Sequence, residues 1–119
     1  APRIGQEAAL TGLLAAGDWR RAQAARIGTR LQSFRAAMAD QPGGFELAAS
    51  GAFFGWVRHP FTGEATDGVV ERLILDHDIL AIPGTAFTPT DEGWLRFSFA
   101  NLDPEDFDLL AQRLRVAGR

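Results

Sequence analysis

Near the C-terminal end, Leu95-Arg96-Phe97-Ser98-Phe99-Ala100 alternates strictly between large apolar side chains and polar or small ones. A β-strand sends successive side chains to opposite faces. The segment Trp94–Ala100 therefore reads as a strand with Leu95, Phe97 and Phe99 on one face, and Arg96, Ser98 and Ala100 on the other. Such a strand needs apolar cover on one side only. The rest of the chain must supply that cover, and helix-period segments are available to do so.

Glycine and proline punctuate the chain into short units. Residues Ile4 to Ala16 read as a short helix, with Leu10, Leu13 and Leu14 on one face. Gly17 suits its stop and Asp18 a fresh N-cap. A longer helix then runs to Ala39 with an apolar stripe of Ile27, Leu31, Phe34 and Met38. Gly28 interrupts it at a cost of about 1 kcal/mol relative to Ala. Pro42-Gly43-Gly44 ends it. Phe45–Ala49 is a strand, Ser50-Gly51 a turn, and Phe53–Arg58 a second, aromatic strand. Asp67 is expected to cap a helix carrying Val69, Val70, Leu73 and Ile74. Ile79–Ile82 reads as a short strand stopped by Pro83-Gly84. The last helix has Asp103 as N-cap and Pro104 at its first position. Glu105 and Asp106 fill the first turn, and Phe107, Leu110, Ala111 and Leu114 form the buried stripe. The order of elements gives an α+β class: a small, largely antiparallel sheet with helices packed on one side.

Length and composition narrow the function. The chain has 119 residues, one domain's worth, with 46% hydrophobic and 23% charged residues, enough for a real core. No apolar run approaches the ~18 residues needed to span a bilayer, and no signal-peptide layout is present. No Cys is present, which excludes disulfide scaffolds and thiolate metal sites. The formal net charge of −3 gives no general pull toward nucleic acid. All 12 basic residues are Arg. Chemistry that needs a Schiff-base or phosphate-loop lysine therefore cannot be done by this chain alone. The chain opens Ala1-Pro2-Arg3 and its single Met is Met38. Residues 1–119 are accordingly expected to be one domain excised from a longer protein.

Several clusters invite a chemical reading and have a simpler one. Asp76-His77-Asp78 could suggest a metal, but adjacent residues point in different directions, and a polar helix-to-strand turn accounts for them. His59 is the only other histidine. Asp103–Asp108 lacks the glycine and downstream Glu of a calcium loop, and helix capping accounts for it. Arg20, Arg21, Arg26, Arg30 and Arg35 are spread around their helix, as on a solvated or interface-facing surface. Phe53, Phe54, Trp56, Phe61, Phe87, Trp94, Phe97 and Phe99 read first as core and interface packing. Arg96 is the informative residue. At mid-strand it lies either on the open face of the sheet or against an anion, and its rigid fork of donors fits a carboxylate at two points.

Three motifs, in order, carry a resemblance: Ser50-Gly-Ala-Phe-Phe-Gly-Trp56, Ile82-Pro-Gly-Thr-Ala-Phe87 and Leu95-Arg-Phe-Ser-Phe-Ala100, followed by the helix Asp103–Leu114. Together they resemble the small C-terminal domain of class I/II aminotransferases, the fold-type-I enzymes that use pyridoxal 5'-phosphate. The resemblance covers nearly the whole chain and does not specify a substrate side chain. It implies that Arg96 binds the α-carboxylate of an amino acid or 2-oxo acid. It implies that Pro83-Gly84 is a structural turn, and that the cofactor's lysine, aspartate and phosphate ligands belong to a large domain outside this chain. No residue here is then catalytic, cofactor-binding or metal-binding. His77-Asp78 before Ile79 departs from the glycine-type turn that relatives often have there.

The resemblance further implies a cytoplasmic homodimer that moves an amino group between an amino acid and a 2-oxo acid, with the isolated segment inactive. Two other readings use the same residues. The parent could be a pyridoxal-phosphate β-lyase, or the segment could be a stand-alone amino-acid-binding regulatory module.

Overall fold

The computed structural model describes residues 2–119. Helices α1 (Arg3–Ala15) and α2 (Gly17–Met38) lead into strands β1 (Glu46–Gly51) and β2 (Phe54–Arg58). Helix α3 (Thr66–His77), strands β3 (Ile82–Pro83) and β4 (Trp94–Ser98), and helix α4 (Asp106–Ala117) complete the order. The four strands form one sheet in the order β1-β2-β4-β3, antiparallel at every pairing. Helices α2, α3 and α4 cover one face, so the expected α+β layer is what the chain adopts. No helix among the described residues is long and apolar enough to cross a membrane.

The alternation of β4 sets the two sides of the sheet. Leu95, Phe97 and Phe99 are buried, together with Val57 of β2. Phe34 and Met38 come down on them from α2, Val69 and Leu73 from α3, and Phe107 and Leu114 from α4. Phe34 stacks on Phe99 with centroids 5.6 Å apart and meets Phe107 at 5.9 Å. Each such side chain removed from water contributes about 1.5–3 kcal/mol. The backbone N–H of Phe99 donates to the carbonyl of Phe53, which extends the alternation one residue past the ladder.

Several local expectations are corrected. Gly17 does not stop α1; it opens α2. The break is Ala16, and Asp18 lies in the first turn of α2, bonded to Arg21. Leu10, Leu13 and Leu14 share a face that is exposed. The hairpin turns at Ala52-Phe53 rather than Ser50-Gly51, with Gly51 pairing Phe54 and Ala52 taking a positive φ of 48°. Phe45 precedes β1 as a core residue. Of Ile79–Ile82 only Ile82 pairs with β4, joined by Pro83. Gly28 has open space around it, and nothing in the structure explains it.

Both acidic N-caps are also displaced. Helix α3 begins at Thr66, and the carboxylate that holds its first N–H comes from Asp91, 25 residues on, not from Asp67. At α4, Asp106 reaches back to the N–H of Asp103, while the Asp103 carboxylate is taken by Arg30 at 2.7 Å. The turn at His77-Asp78 does form. Asp78 adopts φ 51°, ψ 38° and ends α3, and the N–H of Ile79 donates to the Leu73 carbonyl at 2.8 Å. An aspartate thus takes the left-handed position that glycine usually fills.

Gly55 lies on the covered face of β2, where a Cβ would stand 2.4 Å from the Phe34 ring. The absent side chain is what lets α2 seat Phe34 against the sheet. Gly55→Ala is therefore expected to overpack the core and lower stability by about 1–3 kcal/mol. Urea denaturation of the two proteins measures this. An unchanged midpoint would mean that Phe34 is not seated this closely.

Candidate functional site

The open face of the sheet is not merely solvated. Trp94, Arg96 and Ser98 leave β4 on this side, and Phe54, Trp56 and Arg58 leave β2. The register sets Arg96 between Trp56 on one neighbouring strand and Ile82 on the other. Trp56 and Trp94 stack at 5.9 Å with 22° between their planes. Phe87 meets Trp56 edge-on at 6.1 Å. Arg58 lies over Trp94 at 5.7 Å.

Arg96 stands in the middle of this layer, half-buried. Its guanidinium carbon is 4.3 Å from the centroid of the Phe54 ring and 4.5 Å from that of Phe87. A cation over an aromatic face gains about 0.5–1 kcal/mol when exposed and about 2 kcal/mol when desolvated. Among the described residues, the Arg96 guanidinium has these ring contacts and no hydrogen bond or ion pair. Arg58, on the same face, likewise has only a ring contact among the described residues, whereas several other arginines are engaged. Arg30 holds Asp103, Arg72 holds Glu64, Arg113 holds Asp78 and Arg115 holds Asp40. A half-buried arginine steadied by rings keeps a planar fork of donors whose chemistry matches that of a carboxylate.

Phe87 reaches Arg96 because of the Pro83-Gly84 turn. The chain makes a single 3₁₀ turn at Gly84–Ala86, closed by the N–H of Phe87 on the Gly84 carbonyl at 2.8 Å. A Cβ on Gly84 would stand 2.7 Å from the Trp94 carbonyl oxygen, so only glycine allows the turn to lie this close to β4. A shallow depression beside Arg96 is lined by Gly51, Phe54 and Trp56. Default reading as packing residues hid Phe54 and Phe87. The signal that could have exposed them is the parity of β2, which puts Phe54 and Trp56 on the side opposite the buried Val57.

A second polar cluster braces the start of β4. His59 is buried, and its Nδ1 accepts the N–H of Phe61 at 3.2 Å. The neutral ring therefore carries its proton on Nε2, which donates to Thr66 Oγ1 at 3.3 Å. The Thr66 hydroxyl in turn donates to Asp91 Oδ1, and the N–H of Gly93 donates to the same oxygen at 3.2 Å. The His59 N–H donates to the Gly93 carbonyl at 2.9 Å, next to Trp94. His77, Asp76 and Asp78 do not converge: Asp78 faces Arg113. No cluster of three potential metal ligands occurs among the described residues.

The sequence matches the class I and II aminotransferase family over residues 1–114. The chain belongs to that family. No curated protein sequence matches it. Its fold is similar to an aminotransferase from Staphylococcus aureus (TM-score 0.77, 27% identity), covering 95% of this chain and 29% of that one. It is similar to the aromatic aminotransferase of Pyrococcus horikoshii OT3 (TM-score 0.74, 22% identity), covering 93% and 30%. YbdL of Escherichia coli, identified with a methionine aminotransferase function, superposes with TM-score 0.71 at 19% identity, covering 89% and 28%. The chain therefore spans less than a third of these relatives.

The family depends on pyridoxal phosphate. This chain has no amine side chain that could anchor it covalently, since every basic residue is Arg. The cationic groups on the open face are the guanidiniums of Arg96 and Arg58 among rings, which suit a carboxylate and cannot form the cofactor's covalent anchor.

Acid should loosen the His59 cluster. Burial lowers the His59 pKa below its ordinary value of about 6.5. The Thr66 hydroxyl and backbone hydrogen bonds lower that of Asp91 below the ordinary carboxylate value. Both groups bind protons more readily unfolded, so their stabilisation is present above the unfolded pKa and is lost as pH falls through the folded one. Melting temperature should decline from about pH 6.5 downward, with a further decline below about pH 4. His59→Gln should flatten the upper part of that decline. A thermal scan series across pH tests this, and an unaltered slope in the variant would contradict it.

Proposed function

We propose that this chain is the C-terminal, substrate-side domain of a pyridoxal-phosphate-dependent aminotransferase. In that reading Arg96 binds the α-carboxylate of the amino acid and of the 2-oxo acid. The observation that carries the proposal is the free guanidinium of Arg96, held between Phe54 and Phe87 on the uncovered face of the sheet. Family membership and the motif order support it.

The cofactor, held by the large domain, supplies the carbanion chemistry. The residues here bind and orient. Two-point contact from the guanidinium fixes one end of the substrate and so sets the direction of its Cα–H bond. The aromatic layer around the contact excludes water, which strengthens it. The large domain would also cover the exposed apolar face of α1 formed by Leu10, Leu13 and Leu14. A cytoplasmic homodimer completes the proposal. The isolated segment is inactive, because it has no lysine.

Removing a charge-assisted pair from a closed site costs at least about 1.5–3 kcal/mol. Arg96→Ala in the intact enzyme should thus lower kcat/KM for an amino acid by roughly 10- to 150-fold or more. Arg96→Lys should recover little, since an ammonium cannot reproduce the fork. An amine without an α-carboxylate should be nearly unaffected. Steady-state kinetics with both substrates checks this. Amino-acid turnover within a factor of two of wild type in Arg96→Ala would reduce Arg96 to a surface arginine.

A further inference from the structure

We infer that Phe54 and Phe87 are positioning residues that hold the Arg96 guanidinium in a fixed slot and leave its donors open for a planar carboxylate. The inference rests on the carboxylate-binding reading of Arg96.

The two rings come from opposite directions. Phe54 belongs to β2 and Phe87 to the loop beyond β3, and β4 lies between these strands in the sheet. Their centroids stand 4.3 and 4.5 Å from the guanidinium carbon, close enough to hold it by cation–π attraction. An arginine side chain has many rotamers, and on an open sheet face it would sample them. Two rings that flank the head group select among those rotamers before any ligand arrives. What the rings do not cover are the N–H groups around the guanidinium, and these have no partner among the described residues. A carboxylate can lie in the guanidinium plane and take two of them.

Each ring is itself held. Phe54 is the first residue of β2 and pairs opposite Ser98 of β4. It also meets Phe53 of the hairpin turn edge-on at 6.3 Å. Phe87 is held by the Gly84 turn and by the edge of Trp56. The glycine at position 84 is thereby linked to substrate recognition. It lets the turn approach β4, and the turn delivers Phe87.

The work of these rings is done before binding, so their loss should appear in KM more than in kcat. The test compares Phe54→Leu, Phe87→Leu and Arg96→Ala in the intact enzyme. Leucine keeps an apolar side chain and removes the aromatic face. Each Phe variant should raise KM for the amino acid about 3- to 30-fold, the loss of one cation–π contact. Each should leave kcat/KM for a carboxylate-free amine within a factor of two. The rise should fall on KM while kcat for the amino acid stays near wild type, a split that a purely structural role for the rings would not require. If Arg96→Ala is defective while both Phe variants keep the wild-type KM, the rings are packing only and this inference fails alone. If Arg96→Ala is itself silent, the carboxylate reading fails and takes this inference with it.

Discussion

Burial of Leu95, Phe97 and Phe99 beneath three helices fixes which way Arg96 points. The two faces of β4 are coupled by a period of two, so a slip of one residue would bury the arginine and expose the aromatics. The core resists that slip. Phe34, Phe99 and Phe107 meet at ring distances of 5.6 and 5.9 Å, and Gly55 leaves no room for the sheet to shift beneath Phe34. The position of the Arg96 guanidinium is thus set by hydrophobic packing on the other side of its own strand.

The open face then refines what the core has fixed. Its aromatic residues arrive from two strands and one loop: Phe54 and Phe87 lie beside Arg96, while Trp56 stacks on Trp94 and meets the edge of Phe87. The His59–Thr66–Asp91 cluster closes the far end of the β2–β4 pair, just before Trp94. The buried histidine braces the loops that carry Thr66 and Asp91.

Much of this was legible because periodicity reports burial. The alternation of β4, the stripe Phe34–Met38 and the stripe Phe107–Leu114 each predicted the residues that the core contains. Helix starts were less legible, for a physical reason. Asp67 and Asp103 have the composition of N-caps, yet the groups bonded at those helix ends are Asp91 and Asp106. Capping is a competition for a few N–H groups, and a carboxylate 25 residues away can win it once the loops are folded. The face formed by Leu10, Leu13 and Leu14 has helical spacing without burial, because spacing names a face and not its cover. Arg96 was legible as a candidate from its place in an apolar strand, and its assignment to a carboxylate came from resemblance. Phe54 and Phe87 were not, since an aromatic residue reads the same in a core and beside a cation.

The central claim is that the free edge of the Arg96 guanidinium is where the substrate's carboxylate sits. A structure of the intact enzyme with a bound, unreactive amino-acid analogue tests it most directly. The account predicts two parallel N–H···O contacts of about 2.7–2.9 Å between Arg96 and the analogue's α-carboxylate, with Phe54 and Phe87 still flanking the guanidinium. A carboxylate bound elsewhere, with Arg96 facing open solvent, would contradict it.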